Sequence, residues 1–273
     1  MSVYDVDGNE ITTIYDINGN SLSQAYDING QELLSNGIMV MTFNVQRWWG
    51  INANATIMNS IFNAYKPLIC GVQETGTDGT LNYVGTQFQS GIAMQNIPNK
   101  PALLFNVPYT NYSDVTYTTQ GYETRGYQKC YVTLQGQTVA IFNTHMQDSQ
   151  PTVRAGQAAQ LLADMNNEDY CIAFGDFNTV AMSVTDADYI NVEKPFIDAG
   201  YNMANWASGF TDTWFDGTTV EGSSEKYALD NIITSPNISI EEVFFDQRKI
   251  EAQTGLTLDH IPVAVRLLIG AVS

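Results

Sequence analysis

Apolar positions along this chain recur with two different periods. Over roughly the first 35 residues they alternate with polar ones in an eleven-residue register: Tyr4-Asp5-Val6-Asp7-Gly8 returns as Tyr15-Asp16-Ile17-Asn18-Gly19 and again as Tyr26-Asp27-Ile28-Asn29-Gly30. Each unit sets an Asp-Gly or Asn-Gly pair between short alternating arms. Both central residues of a two-residue hairpin turn need positive φ, which Gly, Asn and Asp tolerate best. Three successive β-hairpins are therefore predicted over residues 1–35. A lone hairpin buries no face, so the units are expected to stack on each other, on the rest of the chain or on another copy. Asp5-x-Asp7-Gly8 also resembles the start of a calcium loop, but the later units carry Asn at the third position and no downstream Glu completes it, so the turn reading prevails.

From about Asn36 the pattern changes. Ile38 to Phe43, Pro67 to Val72, Tyr127 to Leu134, Thr138 to Phe142, Tyr170 to Phe174 and Leu229 to Thr234 are short apolar, β-branched or aromatic runs bounded by polar turns, and each predicts a strand. Two segments repeat at helical spacing instead. Ala53 to Tyr65 carries Ile57, Ile61 and Phe62 on one face; Thr152 to Met165 carries Val153, Leu161, Leu162 and Met165, with Pro151 suited to its first turn. A mixed α/β domain over residues 36–273 follows. The region from Gly175 to Lys226 is rich in Thr, Asn, Asp and Gly, and only Val192 to Gly200 within it has a helical pattern.

With 273 residues, 44% of them hydrophobic, the chain can bury a sizeable core. No stretch approaches the roughly 20 apolar residues of a membrane-spanning helix. Met1 to Glu10 shows neither the basic nor the apolar region of an export signal, so a soluble protein, cytoplasmic or associated with a virus particle, is expected. Cys70, Cys130 and Cys171 lie far apart inside apolar runs and predict buried thiols, not disulfides or zinc ligands. The 29 Asp and Glu against 11 Lys and Arg give a formal charge of -18. That counts against tight non-specific nucleic-acid binding through basic side chains, yet leaves room for a nuclease whose metal ion supplies local positive charge.

Polar residues suited to catalysis gather at the C-terminal ends of the predicted strands, where α/β sheets bind ligands. They are Asn44 after Thr42-Phe43, Glu74 after Val72-Gln73, His145 after Asn143-Thr144, Asp176 and Asn178 around Phe177, Asp230 and Asn231 after Leu229, and Asp259-His260 before Ile261-Pro262-Val263. Carboxylate and amide oxygens suit a hard divalent cation, Mg²⁺ foremost, with Mn²⁺ or Ca²⁺ as the other choices. Both histidines of the chain fall in these segments. One histidine beside apolar residues is usually structural, but two at converging strand ends weaken that explanation. An Asp can orient an imidazole and favour its charged form near a phosphoryl oxygen, and Asp230 is the candidate partner of His260.

These segments, in this order, resemble the motifs of the endonuclease/exonuclease/phosphatase superfamily, a group that includes deoxyribonucleases, abasic-site endonucleases, sphingomyelinases and inositol polyphosphate 5-phosphatases. The resemblance rests on Thr42-Phe43-Asn44, Val72-Gln73-Glu74, Asn143-Thr144-His145, Gly175-Asp176-Phe177-Asn178, Leu229-Asp230-Asn231-Ile232 and Leu258-Asp259-His260-Ile261-Pro262-Val263. It spans roughly Ile38 to Leu268. Each string alone is weak, and the ordered set is specific. It implies a four-layer αββα sandwich with two central, mixed and mainly antiparallel sheets. It also implies that Glu74 is the principal metal ligand, with Asn44 and Asp259 helping to hold or orient the ion. Asp176, with Asn178 beside it, would position or deprotonate the attacking water. His145 and His260, the latter held by Asp230, would bind the scissile phosphate and stabilise transition-state charge. Arg125, in Arg125-Gly126-Tyr127, resembles a phosphate-contacting arginine of the family, and the resemblance implies Asn178 as a second phosphate contact. Arg154, in Arg154-x-x-Gln157, is expected to brace its helix.

The expected activity is metal-dependent phosphoester hydrolysis, with DNA or RNA phosphodiesters as the leading substrate. A phospholipid or inositol phosphate is the alternative, since specificity lies in loops the motifs leave open. Trp48, Trp49, Trp206 and Trp214 offer surfaces for bases or lipid, although buried core is the expected use of each. The eleven-residue units weakly resemble repeats of bacteriophage tail-associated proteins. They support a further reading, an appendage for self-association or docking on a larger particle, in the extreme beside a vestigial catalytic domain; the intact polar set argues against lost activity.

Overall fold

The computed structural model describes residues 37–45, 59–75, 87–95, 97, 101–181, 183–207, 209–215, 226–245 and 259–270, together with paired strand backbone between residues 3 and 35. The chain divides into two compact units, Met1–Ile38 and Met39–Ser273. In the first, Val3–Tyr4 pairs with Glu10–Ile11, Ile14–Tyr15 with Ser21–Leu22, and Gln24–Tyr26 with Glu32–Ser35, all antiparallel. The registers differ between the units: Tyr4↔Glu10 and Tyr15↔Ser21 are centred on Asp7 and Asn18, whereas Gln24↔Ser35 and Ala25↔Leu34 are centred between Asn29 and Gly30, with a register shift before Tyr26↔Glu32. The turn residues lie outside the described residues, as do Trp48, Trp49 and the start of the helix expected from Ala53.

Twelve strands, numbered in chain order, build two large sheets: β1 (Ile38–Asn44), β2 (Ile69–Gln73), β3 (Ser90–Ala93), β4 (Ala102–Phe105), β5 (Tyr109–Thr116), β6 (Gly126–Leu134), β7 (Gln137–His145), β8 (Cys171–Asp176), β9 (Asn202–Met203), β10 (Asp230–Thr234), β11 (Ile238–Phe245) and β12 (Val263–Ile269). The first sheet has the order β11-β12-β1-β2-β4-β3 and the second β5-β6-β7-β8-β10-β9. Both are mixed. β1/β2 and β7/β8 run parallel, whereas β2/β4, β4/β3, β11/β12, β5/β6, β6/β7, β8/β10 and β10/β9 run antiparallel.

Strand alternation sorts the side chains into layers. Met41, Phe43, Cys70, Val72 and Leu104 face outward from the first sheet and pack with Ile61 and Phe62 of the helical residues 59–65. Ala140, Phe142, Cys171 and Ala173 face outward from the second sheet against Ala158, Leu161 and Met165 of α1 (Pro151–Met165) and Phe196 of α2 (Lys194–Asp198). Each large side chain removed from water in this way stabilises the fold by about 1.5–3 kcal/mol. The remaining faces meet each other. A Cβ on Gly71 would lie 2.5 Å from Phe174 Cβ, so only glycine lets the sheets approach this closely. Helix, sheet, sheet and helix form the four layers.

A satisfied polar seam runs between the sheets. Gln73 Nε2 donates to Asn143 Oδ1 at 2.8 Å and to Thr42 Oγ1 at 3.1 Å, while Asn143 Nδ2 donates to Gln128 Oε1 at 3.0 Å and to the Ala102 carbonyl at 2.9 Å. All four side chains are buried. An unmatched partner is costly at low dielectric, so the seam fixes the register of one sheet against the other. Thr42, Gln73 and Asn143 stand one or two positions before Asn44, Glu74 and His145, and the seam therefore sets where those strand ends meet. The three cysteines are buried free thiols, and no helix among the described residues is long and apolar enough to cross a membrane. Between Gly175 and Lys226 a π-helical turn, Tyr189–Glu193, leads directly into α2, extending the expected helix backwards.

Candidate functional site

In the second sheet β7 and β8 end and β10 begins in register, so Asp230, like His260 before β12, lies at the N-terminal and not the expected C-terminal end of its strand, because β10 runs antiparallel to β8. His145 closes β7 opposite Asp176 of β8, and Asp230 of β10 lies opposite Asp176 on the other side. Asn44 closes β1 of the facing sheet. Glu74 and Asn178, just past β2 and β8, have φ of 56° and 53°. A left-handed backbone costs a non-glycine residue about 1–2 kcal/mol, and such strain is retained where the surroundings demand it. Strand alternation alone would send Glu74 outward with Cys70 and Val72; the left-handed step brings its carboxylate back to the mouth between the sheets. His260, just before β12, bridges to Trp214 through the backbone.

At that mouth Asn44 Nδ2 donates to Asp176 Oδ2 at 2.9 Å and to Glu74 Oε1 at 3.2 Å. His145 Nε2 lies 3.5 Å from Asp176 Oδ2 and 3.9 Å from Glu74 Oε1. His260 Nδ1 bonds Asp230 Oδ2 at 2.7 Å, with Nε2 3.7 Å from Asp176 Oδ2 and 4.0 Å from Asp259 Oδ1. Asp259 Oδ2 accepts the Trp214 indole N–H at 3.3 Å. The Asn178 backbone N–H donates to Asp176 Oδ1 at 2.8 Å and its amide to the Met146 carbonyl at 3.0 Å. A cleft of about 630 Å³ opens above, lined among others by Glu74, Arg125, His145, Asp176, Asn178, Asp259 and His260. Asn44 and Asp230 stand one hydrogen bond behind that lining, so of the sequence candidates all but Asn231 are brought together.

Electrostatics separates the two histidines. Burial alone would lower the His260 pKa, but attraction to Asp230, the hydrogen bond to it, and then Asp176 and Asp259 outweigh burial and hold the imidazolium well above its ordinary range. His145 shifts the other way: burial first, then repulsion from Arg125 and His260, lowers its pKa well below the usual value. Burial and repulsion from Asp230 push Asp176 up to about 7, against the opposing pull of His260, Asn44 and the Asn178 N–H. Asp259 is raised by burial first.

The donor chemistry fits a hard divalent cation. Carboxylates of Glu74, Asp176, Asp230 and Asp259 crowd around His260 and His145, and a bound cation offsets such crowding. Asp176, Asp230 and His260 each place a donor atom within 4.8 Å of the others. His260 Nδ1 is, however, already engaged by Asp230, whereas the Glu74 side chain keeps 18% of its surface open at the cleft.

Several side chains depart from their expected use. Trp214 lines the cleft instead of the core, stacked on Tyr227 with ring centroids 5.4 Å apart, and Trp206 is 37% exposed against Tyr189. Asn231 Oδ1 accepts the Asn205 N–H at 3.1 Å and so braces the segment after β9. Arg154 is buried; its Nη2 meets Asp188 Oδ2 at 2.6 Å and its Nη1 donates to the Gln147 carbonyl at 3.1 Å, tying α1 to the loops that follow β7 and β8. The cleft rim also carries Tyr122, Glu123 and Asp148, which sequence reasoning missed. Their only signal was nearness in sequence to Arg125 and His145, and loop residues have no periodicity that reveals where a side chain points.

No protein-family model matches the sequence, and no curated protein matches it. Solved structures do. TDP2 of D. rerio, complexed with a single-strand DNA product, aligns with a TM-score of 0.68 at 17% identity over 85% of this chain and 99% of that one. An endonuclease/exonuclease/phosphatase from Bacteroides vulgatus aligns with a TM-score of 0.71 at 13% identity over 85% of this chain and 99% of that one. A mannosyl-6-phosphatase of Bacteroides thetaiotaomicron aligns with a TM-score of 0.65 at 15% identity over 85% of this chain and 100% of that one. At these identities the likeness is one of fold.

Proposed function

On the endonuclease/exonuclease/phosphatase fold, which this chain carries, we propose a divalent-metal-dependent phosphoesterase whose leading substrates are DNA or RNA phosphodiesters. The observation that carries this reading is the meeting, in one cleft, of the 2.7 Å His260–Asp230 pair with Asp176, His145 and Glu74. The single-strand DNA product bound to the D. rerio structure supports the choice of substrate.

A cation held by Glu74, with Asn44 and Asp259 assisting, would neutralise phosphate charge and stabilise charge developing on the transferring group. The chain's own residues do the rest. Asp176 takes a proton from the attacking water, and the Asn178 N–H and Asn44 Nδ2 hold its two oxygens in place. His260, kept charged by Asp230, donates from Nε2 to a non-bridging phosphoryl oxygen. His145, uncharged, supports the same oxygens, and Arg125 offers its unengaged nitrogens to the phosphate. Electrostatic stabilisation dominates, and proton transfer contributes about 10²-fold to 10⁴-fold.

The test is a panel of plasmid DNA, RNA, sphingomyelin and inositol phosphates with Mg²⁺, run on wild type and His260→Ala with a chelator control. Nucleic-acid cleavage that chelation abolishes and His260→Ala lowers by about 10²-fold or more is expected. An unimpaired mutant would overturn the residue roles, and cleavage of lipid or inositol substrates alone would overturn the nuclease reading. A small phosphoester is the second reading, supported by the formal charge of -18, which repels long polyanions.

A further inference from the structure

Arg125 enters the cleft with part of its charge already answered. Its Nη2 lies 2.8 Å from Glu123 Oε2 and 3.7 Å from Asp148 Oδ1. Its Nε and Nη1 are buried and make no hydrogen bond among the described residues. The surrounding loop keeps this arrangement rigid. Gln120 Oε1 accepts the Arg125 backbone N–H at 2.8 Å and Gln120 Nε2 donates to the Arg125 carbonyl at 2.9 Å. Asp148 Oδ1 accepts hydrogen bonds from the Tyr122 hydroxyl and, at 2.9 Å, from Gln147 Nε2. Arg125 is only 4% exposed, its Nη2 faces the two carboxylates, and it lines the cleft together with Tyr122, Glu123 and Asp148.

We propose that Glu123 and Asp148 are specificity-determining residues, which hold Arg125 and offset its charge so that the cleft favours singly charged phosphodiesters over doubly charged phosphomonoesters. This rests on the phosphoesterase reading. A diester carries one negative charge at phosphorus, whereas a monoester above its second pKa, about 6, carries nearly two. A lone arginine would reward the second charge. An arginine flanked by two carboxylates offers directed N–H donors with little net positive charge, so the second charge meets Glu123 and Asp148 as well. At an effective dielectric between protein and water, one unit charge a few ångströms away changes such a preference by about tenfold.

The experiment measures kcat/KM for bis(p-nitrophenyl) phosphate and p-nitrophenyl phosphate at about pH 8, where the monoester is doubly charged, in wild type, Glu123→Gln and Asp148→Asn. Wild type is expected to prefer the diester. Each variant should raise the monoester-to-diester ratio about tenfold, chiefly through a lower KM for the monoester. A purely structural role would depress both substrates and leave the ratio in place. Inhibition gives an independent reading if one variant folds poorly: inorganic phosphate should gain affinity in the variants by a larger factor than dimethyl phosphate does. An unchanged ratio in both variants, or a wild type that prefers the monoester, overturns the inference. A wild type that cleaves neither ester with Mg²⁺ or Mn²⁺ removes the phosphoesterase reading, and the inference with it.

Discussion

His260 and His145 approach the same Asp176 oxygen to 3.7 and 3.5 Å, yet their pKa values move in opposite directions. The difference lies in what each ring faces. Among the described residues, His260 Nδ1 has a carboxylate partner and His145 Nδ1 makes no hydrogen bond. Replacing Asp230 by Asn removes the strongest influence holding the His260 charge. Activity that needs the imidazolium should then fail at lower pH, the alkaline limb of the kcat/KM profile moving down by about 1–3 units. Stability shows the same sign. His260 is raised in the folded state, so its contribution is complete below its unfolded value of about 6.5 and is lost as pH rises through the folded value. Asp230→Asn should therefore flatten the alkaline decline in urea-unfolding free energy, and an unchanged limb would show that another group controls it. The Asp230–His260 pair was legible because each residue lies in a motif. The stacking of Trp214 on Tyr227 was not, because the loop before Lys226 has no period from which a face can be assigned.

At the scale of elements, strands with continuous apolar runs could be read from sequence, and those whose stability comes from pairing could not. β7 and β8 are nearly all buried and announce themselves as runs of Val, Ala, Ile and Phe. β4 is only Ala-Leu-Leu-Phe after a proline, and it is a strand because Leu103 pairs with Gly71 on one side and Ile92 on the other. β5, mostly polar with a register break between Thr110 and Ser113, is held at the edge by β6. The hairpin units show a subtler limit: Asp-Gly and Asn-Gly pairs mark a turn but do not fix its length. Close sheet contact was equally hidden, since nothing in Ile69–Gln73 says that Gly71 must face Phe174. Gly71→Ala should consequently cost about 1–3 kcal/mol by overpacking, measured by urea denaturation. Because the displaced neighbours include Asn143 Oδ1, the loss should be accompanied by reduced activity. Full stability and activity together would show that the sheets can part without consequence.

Across the whole molecule, the chain carries a net charge of -18 and a site proposed to bind phosphate, and these two facts pull against each other for any long substrate. Within the cleft the scissile phosphate can be met by His260, Arg125 and a cation, but the phosphates flanking it along a polymer meet a chain whose net charge is of their own sign. The balance should appear as a salt dependence of unusual sign. A basic nuclease loses affinity as salt rises because counterion release weakens. Here, screening should relieve repulsion instead, as the Debye length shrinks from about 30 Å at 0.01 M to about 8 Å at 0.15 M. At constant Mg²⁺, kcat/KM for a single-stranded oligonucleotide should therefore rise severalfold with added KCl, while that for a dinucleotide, with one phosphate and no flanking charge, should stay nearly flat. A fall for the oligonucleotide would require a basic path along the surface that outweighs the net charge. Because the two substrates share the same scissile bond, the contrast between their slopes separates the field of the whole molecule from the chemistry of the cleft.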